Sequence, residues 1–201
     1  MKRILLIRQG NKTSTNSTIS SKRKDLVMSE LGKSQVRLLT KYFSENKKKY
    51  LWSEVFCSDY PRAVSTAISI NSYLQKKITI IEGLGERYFC DQELTENESF
   101  IELKKMQENW GYAPSGGETL SECVDRFETS INLILSKTDE GRTAVIVSHG
   151  RIIQAFLHCL FPRYQINFNS YQLIIKETSL TSLLYSDRFE LEYFNRTDHL
   201  R

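Results

Sequence analysis

Proline is scarce in this sequence, and long apolar runs are absent from it. The 201 residues include three prolines and nine glycines, too few for a collagen-like, mucin-like or largely disordered chain. The longest aliphatic runs, such as residues 4–7 and 144–147, fall far short of the ~20 apolar residues that span a bilayer. The stretch after Lys2 and Arg3 is also too short for a secretory signal. We therefore expect a soluble, cytoplasmic protein without a membrane partner.

Cysteine and net charge are also low. The four cysteines, Cys57, Cys90, Cys123 and Cys159, are widely spaced, and no CxxC pair occurs. This spacing argues against a disulfide framework and gives no support to a zinc site, so we expect reduced, mostly buried thiols. The formal net charge is +4, and the short lysine clusters are separated along the chain. Such clusters typically solvate helix ends and loops, so no nucleic-acid partner is predicted.

Strand-like and helix-like segments alternate along most of the chain. Apolar runs predict strands at 2–8, 54–58, 78–81, 143–147, 182–185 and 190–194. Helical spacing predicts helices that follow Ser29 and Pro61 and that cover roughly 100–106, 118–136 and 150–160. The alternation is typical of an α/β protein with three layers, α/β/α, around a mostly parallel central sheet. The length favours a single domain over residues 1–201, with an insertion at 87–117 that covers the sheet.

Charged and polar residues follow the predicted strands at their carboxyl ends, where parallel α/β sheets bind ligands. Arg8 ends the first strand, Glu86 follows the third, and His149 follows the fourth, while Arg62 opens a helix. The planar fork of arginine matches phosphate oxygens, with charge-assisted bonds worth ~1.5–3 kcal/mol each. His149 also precedes a helix N-terminus, which favours anions. These residues predict a site for a phosphate-like anion with a proton donor beside it.

Several segments then match one family in order along the chain. LIRQGN resembles the LxRHGE signature of the histidine phosphatase superfamily, in its phosphoglycerate mutase-like branch. DLVMSELGKSQVRLL, CSDYPRAVSTA, GLGERYF, PSGGETLSECVDRF and VIVSHGRIIQAFL are similar to further segments of that family. The resemblance covers most of residues 3–157. It implies a phosphoglycerate mutase-like fold and a phosphatase activity on a small phosphomonoester, more than a mutase activity. It implies no metal and no organic cofactor.

The resemblance also implies a role for each site residue. Arg8 and Arg62 would clamp the phosphoryl oxygens, and His149 would donate a hydrogen bond to the phosphoryl group. Glu86 would be the general acid, preferred over Glu82 because the GxGER pattern matches there. Position 9 would hold the nucleophilic histidine that becomes phosphorylated, but this sequence has Gln9 there.

Gln9 separates binding from catalysis. The lone pair of an amide nitrogen is delocalised into the carbonyl, so this nitrogen is not a nucleophile as an imidazole is. Losing the nucleophile of a hydrolase costs a factor on the order of 10⁶ in turnover, by analogy with a serine protease. The Gln9 NH₂ can still donate to a phosphoryl oxygen, so affinity would fall by only ~1–3 kcal/mol. We therefore expect a protein that binds a phosphomonoester or inorganic phosphate, with turnover lost or severely reduced.

Two alternatives stay open at this point. The protein could be an active phosphomonoester hydrolase, in which Gln9 is an engineered replacement of histidine or in which water attacks directly with Glu86 as base. It could instead be a non-catalytic interaction module. The tail hairpin is a candidate pairing edge, and both a monomer and a homodimer fit the sequence. Ser14 and Asn16 could reach the phosphate, and four aromatic residues of the insertion could line a substrate pocket or pack as a core: Tyr88, Phe89, Trp110 and Tyr112.

Overall fold

A single sheet organises the computed structural model, which describes residues 1–13, 26–90, 92, 94–161 and 174–201. Within these residues the strands are β1 (Lys2–Arg8), β2 (Trp52–Cys57), β3 (Ile78–Ile80), β4 (Thr143–Ser148), β5 (Leu180–Tyr185) and β6 (Phe189–Arg196). Their order across the sheet is β3-β2-β4-β1-β5-β6. The first four strands run parallel, whereas β5 is antiparallel to β1 and β6 is antiparallel to β5. The predicted mostly parallel sheet is confirmed.

Helices connect the strands, and local sequence signals fix where several of them begin. The helices in the described ranges are α1 (Glu30–Glu45), α2 (Pro61–Leu74), α3 (Glu96–Glu108), α4 (Leu120–Lys137) and α5 (Gly150–Leu160). Ser29 caps α1 by accepting a hydrogen bond from the Gly32 N–H, and Pro61 opens α2. Thr119 and Glu122 cap α4 reciprocally. Within the described residues, these helices include none that combines the length and the apolar character needed to cross a bilayer.

The helices cover both faces of the sheet. Successive residues of β1 alternate between two cores, with Ile4 and Leu6 in one and Leu5 and Ile7 in the other. The first core is filled by the buried faces of α4 and α5, and the second by those of α1 and α2. The three-layer α/β/α class predicted from the sequence is therefore confirmed. The layers place the N-termini of α2 and α5 at the edge where β1 and β4 end.

The segment 87–117 carries α3 and a small cluster of its own, in which Phe89, Cys90 and Met106 are buried. Arg87 ties the two ends of the segment together, because its guanidinium donates to the carbonyl oxygens of Tyr112 and Glu118 at 2.6 and 2.8 Å. Of the four aromatic residues considered above, Phe89 and Tyr112 pack in this cluster and Trp110 packs against the core of α4 and α5. Tyr88 lines an open cleft described below.

Some local expectations differ from the structure. Leu31 and Leu38 follow helical spacing, yet 60% and 42% of their surface is exposed. The buried stripe of α1 is Val36, Leu39 and Phe43, so the two leucines flank the stripe and do not face the sheet. Helix α1 ends at Glu45, and the lysine cluster at 47–49 lies in the turn that follows it. All four cysteines are free thiols, and all but Cys159 are buried. Ser14 and Asn16 lie outside the described residues.

Candidate active site

The carboxyl ends of β1 and β4 lie side by side and bring Gln9 next to His149. Arg8 pairs in register with Ser148 at the last position of the two strands. The next residue along β1, Gln9, donates its backbone N–H to the Ser148 carbonyl oxygen at 2.9 Å. The Gly10 N–H then donates to Thr66 Oγ1 of α2 at 3.2 Å. These bonds fix the loop after β1 against both β4 and α2.

His149 is fully buried at the N-cap position of α5. Its Nε2 lies 2.9 Å from Ser58 Oγ, and its ring centroid lies 4.7 Å from that of Tyr60. Burial holds the pKa of His149 well below its ordinary value of 6.5, and the positive charges of Arg62 and Arg8 lower it further. His149 is therefore a neutral imidazole at pH 7. It can donate a hydrogen bond through one ring nitrogen without carrying a charge.

Arg62 is buried in the first turn of α2, beside Tyr60. Its Cζ lies 4.7 Å from the centre of the Tyr60 ring, a cation–π distance, and its Nη1 donates to the Leu26 carbonyl oxygen at 3.3 Å. Burial lowers the pKa of Arg62, while the negative charge of Glu86 acts in the opposite direction. Burial and the nearby Glu86 raise the pKa of Tyr60 to about 12, so this phenol stays neutral. Tyr60 thus contacts both the arginine and the histidine.

Glu86 lies against the N-terminus of α5. Its carboxylate accepts backbone N–H bonds from Ile152 at 3.0 Å, Arg151 at 3.2 Å and Arg87 at 3.1 Å. A carboxylate at this position complements the positive end of the helix dipole. The loop that carries Glu86 is held by Arg126, which donates to the carbonyl oxygens of Gly83 and Gly85.

Arg126 is itself held by a carboxylate. Its Nε and Nη2 each lie 2.8 Å from the two carboxylate oxygens of Glu118, a bidentate pair. Burial raises the pKa of Glu118, but the hydrogen bonds and charge of Arg126 outweigh burial, so the pKa is lowered overall. Glu118 is therefore a partner of Arg126 in this structure, in addition to preceding α4.

Arg8 points over the start of α5 and reaches the segment that precedes β5. Its Nη2 forms an ion pair with Glu177 Oε1 at 2.5 Å, and its Nη1 donates to the Ile175 carbonyl oxygen. A Cβ atom added to Gly150 would lie only 3.0 Å from Arg8 Nε. The glycine at position 150 thus gives Arg8 room for this close approach. Arg8 Nε and Gln9 Oε1 are buried and have no hydrogen-bond partner among the described residues.

An open cleft of about 550 Å³ adjoins these groups. Its lining includes Tyr60 and Glu86 together with residues of the loop and helix behind them: Glu82, Tyr88, Glu118 and Arg126. Glu86 is thus shared between the cleft and the group of residues around His149. Glu82, the carboxylate that was not preferred from the sequence, lines the cleft and is exposed to solvent.

Comparison with known proteins identifies the family. The family described as "Histidine phosphatase superfamily (branch 1)" matches residues 4–197 of the chain. This protein belongs to the histidine phosphatase superfamily. It is similar to "Putative phosphoserine phosphatase 2" of Hydrogenobacter thermophilus, with 26% identity over 206 residues that cover 100% of this chain and 98% of the relative.

Solved structures of other proteins have the same fold. YhfR of Bacillus stearothermophilus superimposes with a TM-score of 0.80 at 20% identity, over 100% of both chains. A mycobacterial glucosyl-3-phosphoglycerate phosphatase in complex with VO3 gives a TM-score of 0.79 at 22% identity, over 97% of this chain and 99% of that one. At such identities the likeness shows the fold, which agrees with the family match.

In this member of the histidine phosphatase superfamily, the candidate residues named from the sequence lie near the carboxyl ends of β1 and β4. The positive charges of Arg62 and Arg8 lower the pKa of His149, and the negative charge of Glu86 raises the pKa of Arg62. Three contacts of the site were not expected from the sequence: those of Ser58, Tyr60 and Glu177. Ser58 follows a predicted strand at the ligand-binding end of the sheet, and it and Tyr60 lie inside the motif that carries Arg62, but no contact partner for either was predicted from the sequence. For Glu177 no sequence signal was available, because its contact depends on where β5 joins the sheet.

Proposed function

We propose that this histidine phosphatase family member binds the phosphoryl group of a phosphomonoester, or inorganic phosphate, where β1 and β4 end, and that its turnover is lost or severely reduced. Arg8 and Arg62 would contact the phosphoryl oxygens, and His149 would donate a hydrogen bond to them. Glu86 would protonate the leaving oxygen. Gln9 takes the position of the nucleophilic histidine.

The observation that carries the proposal is a set of buried polar atoms that have no partner among the described residues: Arg8 Nε, Gln9 Oε1 and His149 Nδ1. A buried polar atom without a hydrogen bond costs ~1–3 kcal/mol, so three of them in adjoining residues call for a ligand or water. Arg8 Nε is a donor, and His149 Nδ1 is a donor in one tautomer. A 180° rotation of the Gln9 carboxamide about its Cγ–Cδ bond exchanges Oε1 and the NH₂ group, so that the NH₂ group takes the position of Oε1. Three donors at neighbouring strand ends suit an oxyanion.

The charges support the same ligand. Arg8 and Arg62 supply two positive charges, and the neutral His149 adds a donor without adding repulsion between cations. The mycobacterial relative was solved with VO3, an oxyanion, which is consistent with this use of the fold. The Glu86 carboxylate lines the adjoining cleft, where we place the alcohol part of the ester.

Gln9 determines how far the reaction can proceed. In a transfer through histidine, a ring nitrogen attacks phosphorus, the ester P–O bond breaks, and the alcohol leaves with a proton from the general acid. The amide nitrogen of Gln9 has no available lone pair for the first step. Binding needs only donors and positive charge, which remain. Capture of the phosphoryl group therefore survives where turnover does not.

Titration calorimetry with inorganic phosphate tests this proposal. The wild-type chain should bind phosphate, and Arg62→Met should weaken binding by at least tenfold, because it removes a charge-assisted contact worth ~1.5–3 kcal/mol. Arg196→Met is the matched control, since Arg196 also stacks on a tyrosine, with its Cζ 5.1 Å from the Tyr193 ring. The control should bind as the wild type does. Absence of phosphate binding in the wild type, or equal losses in both variants, would contradict the proposal and favour an interaction module.

A further inference from the structure

The acidic side chain of Glu177 contacts Arg8, a residue of the site that is proposed to bind an anion. Glu177 Oε1 lies 2.5 Å from Arg8 Nη2, and the Ile175 carbonyl oxygen accepts from Arg8 Nη1. The side chains of Arg8 and Glu177 are 20% and 27% exposed, so the pair is partly sheltered from water. Both terminal nitrogens of the guanidinium are thus engaged by one short segment. Nη2 forms one edge of the guanidinium together with Nε, which has no hydrogen-bond partner among the described residues, and a phosphoryl group would use that edge for a bidentate contact.

The backbone of this segment is fixed from both sides. The Thr178 N–H donates to the Arg8 carbonyl oxygen at 2.9 Å, which joins the segment to the end of β1. On the other side, the Lys176 N–H donates to Asn195 Oδ1 at 2.8 Å, and Asn195 Nδ2 donates to the Ile174 carbonyl oxygen at 2.9 Å. The position of Glu177 beside Arg8 therefore follows from hydrogen bonds of the main chain on either side of it.

Thr178 also adopts a costly conformation next to Glu177. It is buried with φ +57°, a left-handed conformation that a β-branched residue rarely adopts and that costs ~1–3 kcal/mol. Its Oγ1 donates to the Glu177 carbonyl oxygen at 2.7 Å and lies 3.1 Å from His199 Nε2. Strain of this kind persists where the surrounding structure requires it. The Glu177 side chain itself is 27% exposed, so it has room to turn toward solvent.

We infer that Glu177 is an internal competitor for Arg8, and that it determines how tightly the site holds a phosphoryl group. This inference rests on the proposed phosphate binding. A phosphoryl group that bonds to Nε and Nη2 needs the Nη2 donor that Glu177 already occupies, and both anions form charge-assisted bonds with the guanidinium. While Glu177 is in contact, it also neutralises one of the two positive charges of the site. An incoming phosphoryl group must therefore displace this carboxylate, which lowers its net affinity.

A supporting role for Glu177 would have the opposite consequence. If the carboxylate only oriented Arg8 for the ligand, its removal would leave the guanidinium misplaced, and phosphate would bind more weakly. If it competes, its removal frees Arg8 and phosphate binds more tightly. The sign of the change in affinity therefore distinguishes the two roles.

Titration calorimetry of the full chain with inorganic phosphate, at fixed pH and ionic strength, measures that sign. Glu177→Gln should bind phosphate about tenfold more tightly than the wild type, equivalent to about 1.4 kcal/mol. Glu192→Gln is the matched control, because Glu192 pairs with Arg3 at the other end of β1, with a distance of 3.1 Å and exposed fractions of 33% and 24%. It removes the same charge and an ion pair of the same strand, and its phosphate affinity should equal that of the wild type.

A second variant covers the case in which Glu177→Gln fails to fold. Glu177→Asp keeps the charge but shortens the reach to Arg8 by one methylene, so it should bind phosphate more tightly than the wild type by a smaller factor. Unchanged or weaker binding in the folded variants would overturn the inference. Phosphate binding that is absent from the wild type and from every variant would instead contradict the proposed function, whereas binding that appears only after Glu177 is replaced would support both.

Discussion

Gln9 lies almost fully buried between the end of β1 and His149, with only 4% of its surface exposed. Its backbone N–H is bonded to β4, while its side-chain Oε1 has no partner among the residues described. A buried carboxamide in that state is poorly explained by packing alone, because burial without a hydrogen bond costs free energy. This state of the side chain supports our proposal that Gln9 contacts a bound phosphoryl group. What Gln9 lacks for catalysis is a nucleophilic lone pair.

Replacing Gln9 by histidine should restore hydrolysis. An imidazole at position 9 supplies the nucleophile beside an otherwise retained set of donors, so the rate with a generic aryl phosphate should rise by at least ~10³-fold, toward the ~10⁶ that a nucleophile contributes. Steady-state hydrolysis by the wild type and Gln9→His measures the gain. Robust turnover in the wild type that histidine does not improve would contradict the prediction. If Glu86→Gln then abolished that turnover, direct attack by water with Glu86 as base would be the better mechanism.

At the scale of elements, the N-terminus of α5 organises the site. His149 is its N-cap, the first backbone N–H groups bind the Glu86 carboxylate, and Gly150 lets the Arg8 side chain pass close to the helix. Three functional groups from distant parts of the sequence are thus positioned by a single helix start. The geometry of that start should matter more for binding than for stability.

Gly150→Ala should weaken phosphate binding several-fold. The new Cβ would lie 3.0 to 3.2 Å from Nε, Cδ and Cζ of Arg8, so the guanidinium must shift by a few tenths of an ångström. Stability should change little, because alanine is favoured over glycine in a helix by ~1 kcal/mol and offsets part of the crowding. Calorimetry with phosphate, together with thermal unfolding, separates the two effects.

Gly111→Ala provides the control, since its new Cβ would meet only Asn109 Oδ1 at an ordinary 3.4 Å. Equal phosphate affinities for the two alanine variants would show that the close approach of Arg8 to α5 has no part in binding.

At the scale of the whole molecule, burial keeps two histidines neutral. His149 is part of the candidate site, where its Nε2 lies near Ser58 Oγ. His199 is near the C-terminus of the chain, where its Nε2 lies near Thr178 Oγ1. Burial lowers the pKa of His199 from 6.5 to about 4, and it lowers that of His149 well below 6.5. In the unfolded chain both imidazoles titrate near ~6.5. Below that pH the unfolded state binds more protons than the folded state, so acid favours unfolding.

The free energy of unfolding should therefore fall as the pH drops from about 6.5 to about 4, and these two groups should leave it unchanged above pH 7. For His199 the loss is about 3 kcal/mol, from ~1.4 kcal/mol per unit of pKa. Denaturant unfolding at several pH values, with His199→Asn beside the wild type, measures this. The variant should lose less stability between pH 7 and pH 4. Identical pH slopes in the two proteins would refute the assignment.

The sequence by itself determined the features that depend on neighbouring residues. Ser29 marks a helix start because its side chain can cap an N–H three residues later, and the bounds of α5 match the predicted 150–160. The alternation of strands and helices fixed the α/β class, since periodicity reports which faces are buried. The order of the motifs along the chain was sufficient to indicate the family.

Only the tertiary structure decided which of these residues contact one another. Glu177 is 169 positions from Arg8 in the chain, and Ser58 is 91 positions from His149. No local pattern encodes such pairs, because they arise when β5 adds to the edge of β1 and when β2 and β4 lie side by side. Leu31 and Leu38 are exposed for a related reason: helical spacing gives a stripe of residues, but the packing of α1 on the sheet selects which side of that stripe is covered.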